Sequence, residues 1–268
     1  MRASHVACLA VVSCLTVQGC GGTAFDLPPV SDREALLAAE EIDANPSLPQ
    51  FPRGNAYYRE TISRLERQLT ARVAAICARA ETEECRFTFH YVDNDEVNAF
   101  TDEDGQIYLH HGLLDYLESD EEIAAVMAHE MSHQIAGHVD ESTRSVLLGA
   151  LVGGLLLGGA AAAAGADQQG ADAAAGMGMN YGGRVGLLTF SKEQEREADL
   201  LAAYVLARAD IDLQRAGRTF EVLAKLDGYA LSSWNNTHPM GAERIVAWRK
   251  AMAEVNASSD KLPTMAER

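Results

Sequence analysis

The sequence predicts an α+β fold that is mainly helical, with a small antiparallel sheet. In several segments of the 268-residue chain, apolar residues recur every three or four positions, the spacing of one helix face. Alternating aromatic and β-branched residues around residues 86–110 indicate strands. Ser119 and Ser191 are each followed three residues later by Glu or Gln, the signature of a helix start.

The elements and their connections are predicted in chain order. Strands are expected at residues 86–92, 97–101 and 106–110, and Asp102–Gly105 is the turn of a hairpin between the last two. Helices are expected at residues 32–42, 56–80, 112–117, 119–135, 193–209, 213–226 and 242–255. Residues 55–255 form the main domain. The proline-containing residues 20–54 are predicted to be a tether, and residues 256–268 a polar tail.

The most informative stretch is His129-Glu-Met-Ser-His133, within the helix that begins at Ser119. Residues four apart lie on one face of a helix, so both imidazoles can bind one metal ion. Glu130 is adjacent to the first histidine, where it can take a proton from water without binding the metal. Such a motif also occurs by chance on ordinary surface helices, so it needs support from the rest of the chain.

A catalytic zinc site needs a third protein ligand besides two histidines. The metzincin pattern would place Gly at position 136 and His at position 139, but the chain has Ala136 and Val139. Glu195 and Asp199 offer another solution, because they lie four apart on one helix face among small residues. Glu195 can bind the metal, and Asp199 can hold the second nitrogen of a ligand histidine.

Several motifs together resemble the CAAX prenyl protease/HtpX/BepA family of gluzincin metallopeptidases, over about residues 55–255. They are Asn98-Ala-Phe100, Gly112-Leu-Leu, Glu122-Ile-Ala-Ala-Val-Met-Ala-His-Glu-Met-Ser-His133, His138, Glu195-x-x-Ala-Asp199, Thr237-His-Pro239 and Glu243-Arg244. The resemblance implies one Zn²⁺ per chain bound by His129, His133 and Glu195. It also implies that Glu130 is the general base and that Asp199 supports a ligand.

The resemblance leaves three residues with more than one interpretation. His238 can occupy the open zinc position and keep the enzyme latent, stabilise a transition state, or serve only the structure of its loop. Arg244 can stabilise an oxyanion or pair with an acid, and pairing is favoured. His138 is familiar in the family, but its position also suits a cation at a helix C-terminus. By contrast, His90, His110 and His111 are expected to be ordinary histidines of the sheet region.

The chain also departs from parts of the family. It lacks the several spanning helices of the integral-membrane members and the helical repeat domain of the BepA type. It is therefore similar to the short lipoprotein members, and the resemblance implies a zinc metalloendopeptidase of the bacterial cell envelope. The expected substrates are misfolded or unassembled envelope proteins, which Asn98, Ala99 and Phe100 would bind as an added strand. The alternative is a zinc-stabilised periplasmic chaperone or assembly factor with latent or residual peptidase activity.

The N-terminus indicates export. Residues 1–19 resemble a lipoprotein signal peptide, with an apolar run from Val6 to Val17 that is too short to span a bilayer. Cys20 is predicted to carry the lipid, although Gln18 is unusual in such a signal and ordinary cleavage near Gly22 remains the alternative. By resemblance to enteric lipoproteins, Gly21 favours the outer membrane, with the domain facing the periplasm.

Two further features complete the expectations. In an oxidising compartment Cys77 and Cys85 are expected to form a disulfide, with two buried thiols as the alternative. Residues 145–166 carry no charged side chain, and residues 145–188 are predicted to form a mobile flap or a helical hairpin over the site or on a bilayer surface. Self-association through Gly and Ala is the second interpretation. The net charge of −17 excludes nucleic acid as a partner.

Overall fold

A computed structural model describes residues 23–82, 85–102, 104–185, 190–228, 238 and 241–267. The predicted signal peptide and Cys20 lie outside the described residues. The mainly helical α+β class is confirmed. The strands are β1 (Thr88–Val92), β2 (Ala99–Thr101) and β3 (Gln106–His110), and the helices are α1 (Asp32–Ala44), α2 (Asn55–Thr70), α3 (Ala74–Arg79), α4 (His111–Leu114), α5 (Asp120–Ile135), α6 (His138–Ala163), α7 (Gln168–Val185), α8 (Lys192–Arg208), α9 (Leu213–Ala216), α10 (Arg218–Gly228) and α11 (Ala242–Ala257).

The sheet is mixed, with strand order β1-β3-β2. β2 and β3 form the predicted antiparallel hairpin, with Phe100 opposite Tyr108. β1 runs parallel to β3, which corrects the expectation of a wholly antiparallel sheet. The reason is that the chain passes from β1 to the far edge before it returns as β3 in the centre. Gly105 makes this return possible: its φ is +72°, and a Cβ there would lie 2.6 Å from the carbonyl oxygen of Arg86.

Helix α5 is the centre of the core. Ser119 caps its first turn by accepting a hydrogen bond from the Glu122 backbone N–H. Thirteen of its sixteen residues are buried, because α2, α6, α8, α9, α10 and the sheet all pack around it. The residues between Ser119 and Ile135 are therefore fixed from several directions, which is what a precise site on this helix requires.

The N-terminal segment that was predicted to be a tether is packed on the domain. α1 lies against α11, Phe25 is fully buried, and Phe25 forms a β-bridge with Met265. The predicted polar tail is thus held in the same place, since the Ala266 N–H donates to the Ala24 carbonyl at 3.0 Å. The prolines do not keep this segment apart from the body, because Phe25 and Ala38 supply apolar surface that can be buried.

The structure joins Cys77 of α3 to Cys85, just before β1, through a disulfide. It fastens the helical pair α2–α3 to the sheet. The sequence predicts one helix over residues 56–80, but the chain turns between α2 and α3, at Ala71–Val73.

The uncharged segment forms a helical hairpin. α6 and α7 pack along each other. Gly137, whose φ is +74°, directly precedes α6 and lies two residues after the end of α5. Within the described part of the chain, no helix combines the length and the apolar character that crossing a membrane requires. Residues 186–188 of the predicted flap lie outside the described residues.

Candidate metal centre

The two histidines of the H-E-x-x-H motif lie one turn apart on α5 and are buried. Their Nε2 atoms approach within 3.0 Å of each other. His129 is 2% exposed and His133 is fully buried. Because α5 is fixed on several sides, the two imidazoles are held in one place before any ligand arrives.

Helix α8 adds a carboxylate to this pair. Glu195 places one oxygen 3.4 Å from His129 Nε2 and the other 3.4 Å from His133 Nε2. The close approach of α8 to α5 is possible because α8 presents small side chains; Ala198, Ala202 and Ala203 are all fully buried. The predicted third ligand is therefore brought to the two histidines from a helix that begins about sixty residues later in the chain.

His238 completes the cluster. Its Nδ1 atom lies 3.0 Å from Glu195 Oε1 and 3.3 Å from His129 Nε2. One donor atom from each of His129, His133, Glu195 and His238 lies within 4.8 Å of the others, and all four side chains are buried. Of the alternatives left open for His238, this position favours a role at the metal over a purely structural role in its loop.

The charges of these residues suit a divalent cation. Burial by itself would raise the pKa of Glu195, but the positive charge of Arg244 and a hydrogen bond with His129 lower it well below its usual value. Burial lowers the pKa of His133, so its imidazole is neutral and has a lone pair to offer. Imidazole with carboxylate is a donor set that zinc prefers. The residues present therefore fit zinc.

Asp199 and Arg244 hold the cluster from behind. Asp199 Oδ1 lies 2.9 Å from His129 Nδ1, the nitrogen that faces away from the cluster. Burial would lower the pKa of His129, but its hydrogen bonds to Asp199 and Glu195 outweigh this and raise the value to about 9. Arg244 donates to both oxygens of Asp199, at 2.7 and 2.6 Å, and reaches Glu195 Oε2 at 2.6 Å. The structure thus places Arg244 in the acid-pairing position.

A further buried acid, Glu197, is not predicted from the sequence. His133 Nδ1 lies 3.0 Å from His138 Nδ1, and His138 Nε2 lies 2.9 Å from Glu197 Oε2. His138 is therefore an internal partner of His133, which adds to its expected place near the end of α5. The other oxygen of Glu197 accepts the Phe25 N–H at 2.8 Å. The available signal was the position of Glu197 within the acidic run Glu195–Asp199.

Glu130 is the remaining member of the site. It is fully buried, and neither carboxylate oxygen has a hydrogen-bond partner among the described residues. His238 Nε2 is 3.6 Å from Oε1, beyond ordinary hydrogen-bond distance. Burial raises the pKa of Glu130, so its carboxylate is a better proton acceptor than an exposed one. A buried carboxylate without a hydrogen bond is costly to keep, which indicates a chemical role.

The other predicted residues lie outside the cluster. Ala99 and Phe100 belong to β2, at the edge of the sheet, and Asn98 precedes them. The sheet-region histidines have partners of their own: His90 contacts Gln106, His110 contacts Asn94 and Glu96, and His111 contacts Tyr91 and Asp115.

Comparison with known proteins agrees with this site. Residues 63–252 match the family model described as Peptidase family M48. The beta-barrel assembly-enhancing protease of Escherichia coli (strain K12) is 35% identical over 170 residues, 59% of this chain and 33% of that protein. The metalloprotease LoiP of the same strain is 35% identical over 161 residues, 59% of this chain and 60% of LoiP.

A plant relative shows the same pattern. The mitochondrial metalloendopeptidase OMA1 of Arabidopsis thaliana is 32% identical over 166 residues, 62% of this chain and 31% of that protein. The chain thus spans about a third of the length of the longer relatives and three fifths of LoiP. The family model covers more than half of the chain and includes every residue of the buried cluster. The chain belongs to peptidase family M48, a family of zinc metallopeptidases, as the resemblance of its motifs implied.

Proposed function

We propose that the chain is a zinc-dependent endopeptidase that hydrolyses internal peptide bonds in misfolded or unassembled proteins of the bacterial cell envelope. The observation that carries the proposal is Glu130, whose two buried oxygens have no hydrogen-bond partner among the described residues and which belongs to the helix turn that carries His129 and His133 of the metal-binding cluster. A purely structural metal site would not need a base at that position.

In this proposal His129, His133 and Glu195 hold the zinc ion. When bound, zinc acts as a Lewis acid toward the scissile carbonyl and toward water. Glu130 accepts a proton from the attacking water and passes it to the departing amine. Because burial raises the pKa of Glu130, the carboxylate can hold that proton between the two steps.

Asp199 and Arg244 are proposed as positioning residues. Asp199 fixes the orientation of His129 through its Nδ1 atom, so that Nε2 faces the cluster. Arg244 neutralises the two buried carboxylates that this arrangement brings together, Asp199 and Glu195. A carboxylate pair on one helix face would otherwise repel, and the site would open.

His238 is proposed to keep the enzyme latent. Its imidazole lies beside the ligand atoms of His129 and Glu195 and occupies the position that water or a substrate carbonyl would need. Cleavage then requires His238 to move out of the cluster. Its contacts within the cluster support this role over transition-state stabilisation.

The substrate is proposed to bind in extended form along β2. β2 is an edge strand, and among the described residues no further strand pairs with its outer side. α5, which carries the histidines, packs against β2. An added strand is selected by its free backbone rather than by its side chains, which favours unfolded chains as substrates.

The proposed location is the periplasmic face of the outer membrane, with Cys20 as the lipid anchor. The signal-like residues 1–19 and the glycine after Cys20 support it. The relatives in Escherichia coli include a protease named for enhancing β-barrel assembly, which supports envelope proteins as substrates.

The name of this Escherichia coli relative, a beta-barrel assembly-enhancing protease, also favours a second candidate function. A zinc-stabilised assembly factor would bind unfolded chains and cleave them slowly or not at all. His238 within the cluster is compatible with this role, because it restricts access to the site. The two functions use the same zinc ligands. They differ in whether Glu130 supports the hydrolysis of a bound chain.

The test is cleavage of casein by the wild-type chain, Glu130→Gln and His238→Ala, with zinc content measured for each. Glu130→Gln should lose cleavage and keep its zinc, while His238→Ala should be faster than wild type. Glu193→Gln, an exposed acid on α8, is the matched control and should cleave normally. If all variants bind zinc and casein but none cleaves, the assembly-factor function replaces the peptidase.

A further inference from the structure

Helix α6 presents a broad apolar surface that nothing in the described chain covers. Among the large hydrophobic residues on it, the exposed fraction is 64% for Leu147, 57% for Leu151, 52% for Val152, 67% for Leu155 and 66% for Leu156. Elsewhere in the described residues, large exposed hydrophobic side chains are scattered. An apolar surface concentrated on one helix marks a place where another molecule docks.

The small residues of α6 are already used inside the hairpin. Gly158 faces α7 so closely that a Cβ at this position would lie 2.8 Å from the Cβ of Ala175. The leucine-rich surface therefore stays exposed although α6 packs on α7. We call it the α6 leucine face, and it consists of Leu151, Val152, Leu155 and Leu156. A second copy that pairs through close Gly and Ala contacts would have to displace α7.

The distribution of charge indicates what covers the α6 leucine face. Residues 145–166 carry no charged side chain on any side of the helix. A protein partner tolerates charges at the rim of its docking surface, whereas hydrocarbon excludes them from every side. α7 is more polar: Gln168, Gln169 and Asp172 are all exposed. Contact with a membrane interface strengthens with the apolar area that is buried there, and α6 offers more of that area than α7.

The position of the N-terminal segment gives a second, independent indication. Phe25 donates its N–H to Glu197, and Glu197 binds His138, the first residue of α6. Cys20 lies five residues before Phe25, so an extended chain places it within about 18 Å of that point. α6 is about 39 Å long at 1.5 Å per residue. A lipid on Cys20 thus brings a bilayer within reach of α6.

We propose that the α6 leucine face docks flat on the surface of a phospholipid bilayer, as a second membrane contact beside the N-terminal lipid. The proposal rests on the proposed lipid anchor and is independent of the peptidase chemistry. Because α6 follows α5 directly, the bilayer would then hold the end of the helix that carries His133.

The test places an environment-sensitive fluorophore on α6 in the full lipidated chain. Leu156→Cys carries the label, and Leu36→Cys on α1 is the matched control, since Leu36 is similarly exposed at 60%. Cys77 and Cys85 do not react because they are joined. The vesicles consist of neutral phosphatidylcholine, because anionic lipid would repel a protein with a net charge of −17. Sedimentation with the vesicles and fluorescence emission are measured together.

The expected result is a shift of emission to shorter wavelength for the Leu156 label on vesicles, with no shift for the Leu36 label. Adding Leu151→Glu and Leu155→Glu should abolish the shift while the lipid still holds the chain on the vesicles. Sedimentation without a shift at Leu156 overturns docking and leaves the anchor intact. Failure to sediment overturns both.

The same label also distinguishes the other occupants. A shift that appears without vesicles and grows with protein concentration identifies a second copy. A shift on addition of unfolded casein, and not of vesicles, identifies substrate. Either result overturns the membrane proposal, and neither affects the casein-cleavage test of Glu130.

Discussion

Helices α5 and α6 follow one another along the chain, separated only by Ala136 and Gly137, but their surroundings are opposite. α5 contains Glu122, Glu130 and two histidines, and thirteen of its sixteen residues are buried. α6 is more apolar, and it exposes most of its large side chains. In this chain the polar helix forms the core and the apolar helix lies outside it.

The difference shows that partners, more than hydropathy, decide what is buried here. Glu122 accepts the Glu118 N–H at 2.9 Å, and His129 is held by Asp199. Such contacts compensate the cost of taking polar groups out of water. α6 packs against α7 and, at its first residues, against α5, but Leu151, Leu155 and Leu156 farther along it are exposed. Four substitutions test this contrast.

The largest effect is expected for Arg244→Met. Arg244 is 2% exposed and neutralises Asp199 and Glu195, so its loss removes the guanidinium that both buried carboxylates contact. Removing one partner of a buried ion pair costs about 3–5 kcal/mol. Denaturant unfolding of the metal-free protein measures this loss.

Arg249→Met is the matched control, on the same helix. Arg249 pairs with Glu41 at the same distance that separates Arg244 from Asp199, 2.6 Å, but both side chains of the Arg249 pair are about half exposed. An exposed pair contributes about 0–1 kcal/mol. Equal losses of unfolding free energy in Arg244→Met and Arg249→Met would contradict the interpretation that burial determines how strongly each ion pair stabilises the protein.

A smaller loss is expected for Ile123→Ala, at the apolar side of α5. Ile123 is fully buried in the hydrophobic core. Truncating a buried isoleucine to alanine costs about 2–5 kcal/mol, from lost burial and the cavity left behind. Denaturant unfolding again gives the value, and a change below 1 kcal/mol would mean that the core around α5 collapses onto the cavity.

His138→Ala tests the polar partners of α5. His138 connects His133 to Glu197, so its removal frees the second nitrogen of a proposed zinc ligand. Changes in such outer partners weaken metal binding by about 10–100-fold. Competition with a zinc chelator measures the affinity, and His90→Ala, in the sheet, should leave it unchanged. Unaltered zinc affinity in His138→Ala would limit His138 to a role in packing.

The sequence was sufficient to predict the parts of the site that depend on local spacing. His129 and His133 are four apart, and the caps at Ser119 and Ser191 locate the starts of α5 and α8. Helix periodicity and capping are local, so the structure could be anticipated at these positions. The Glu195–Asp199 pair was anticipated for the same reason.

The parts that were not predicted depend on contacts between distant residues. Glu197 is buried, and the N–H donated to it comes from Phe25, which precedes it by 172 positions. The parallel pairing of β1 with β3 depends on which strand of the β2–β3 hairpin lies beside β1. Local sequence patterns do not predict this choice. Likewise, the prolines predicted a tether, but α1, within that segment, packs against α11.

The smallest effect in solution is expected for Leu155→Ala on α6. Leu155 is 67% exposed, so truncation removes little buried surface and should change the free energy of unfolding by less than about 0.5 kcal/mol. Ile123→Ala removes a similar number of carbon atoms from α5 and is its matched control. If the two variants were equally destabilised in solution, the α6 leucine face would be covered within the chain itself. If Leu155→Ala is silent in solution but lowers the protection of α6 backbone amides from hydrogen exchange on vesicles, its side chain contributes only where lipid is present.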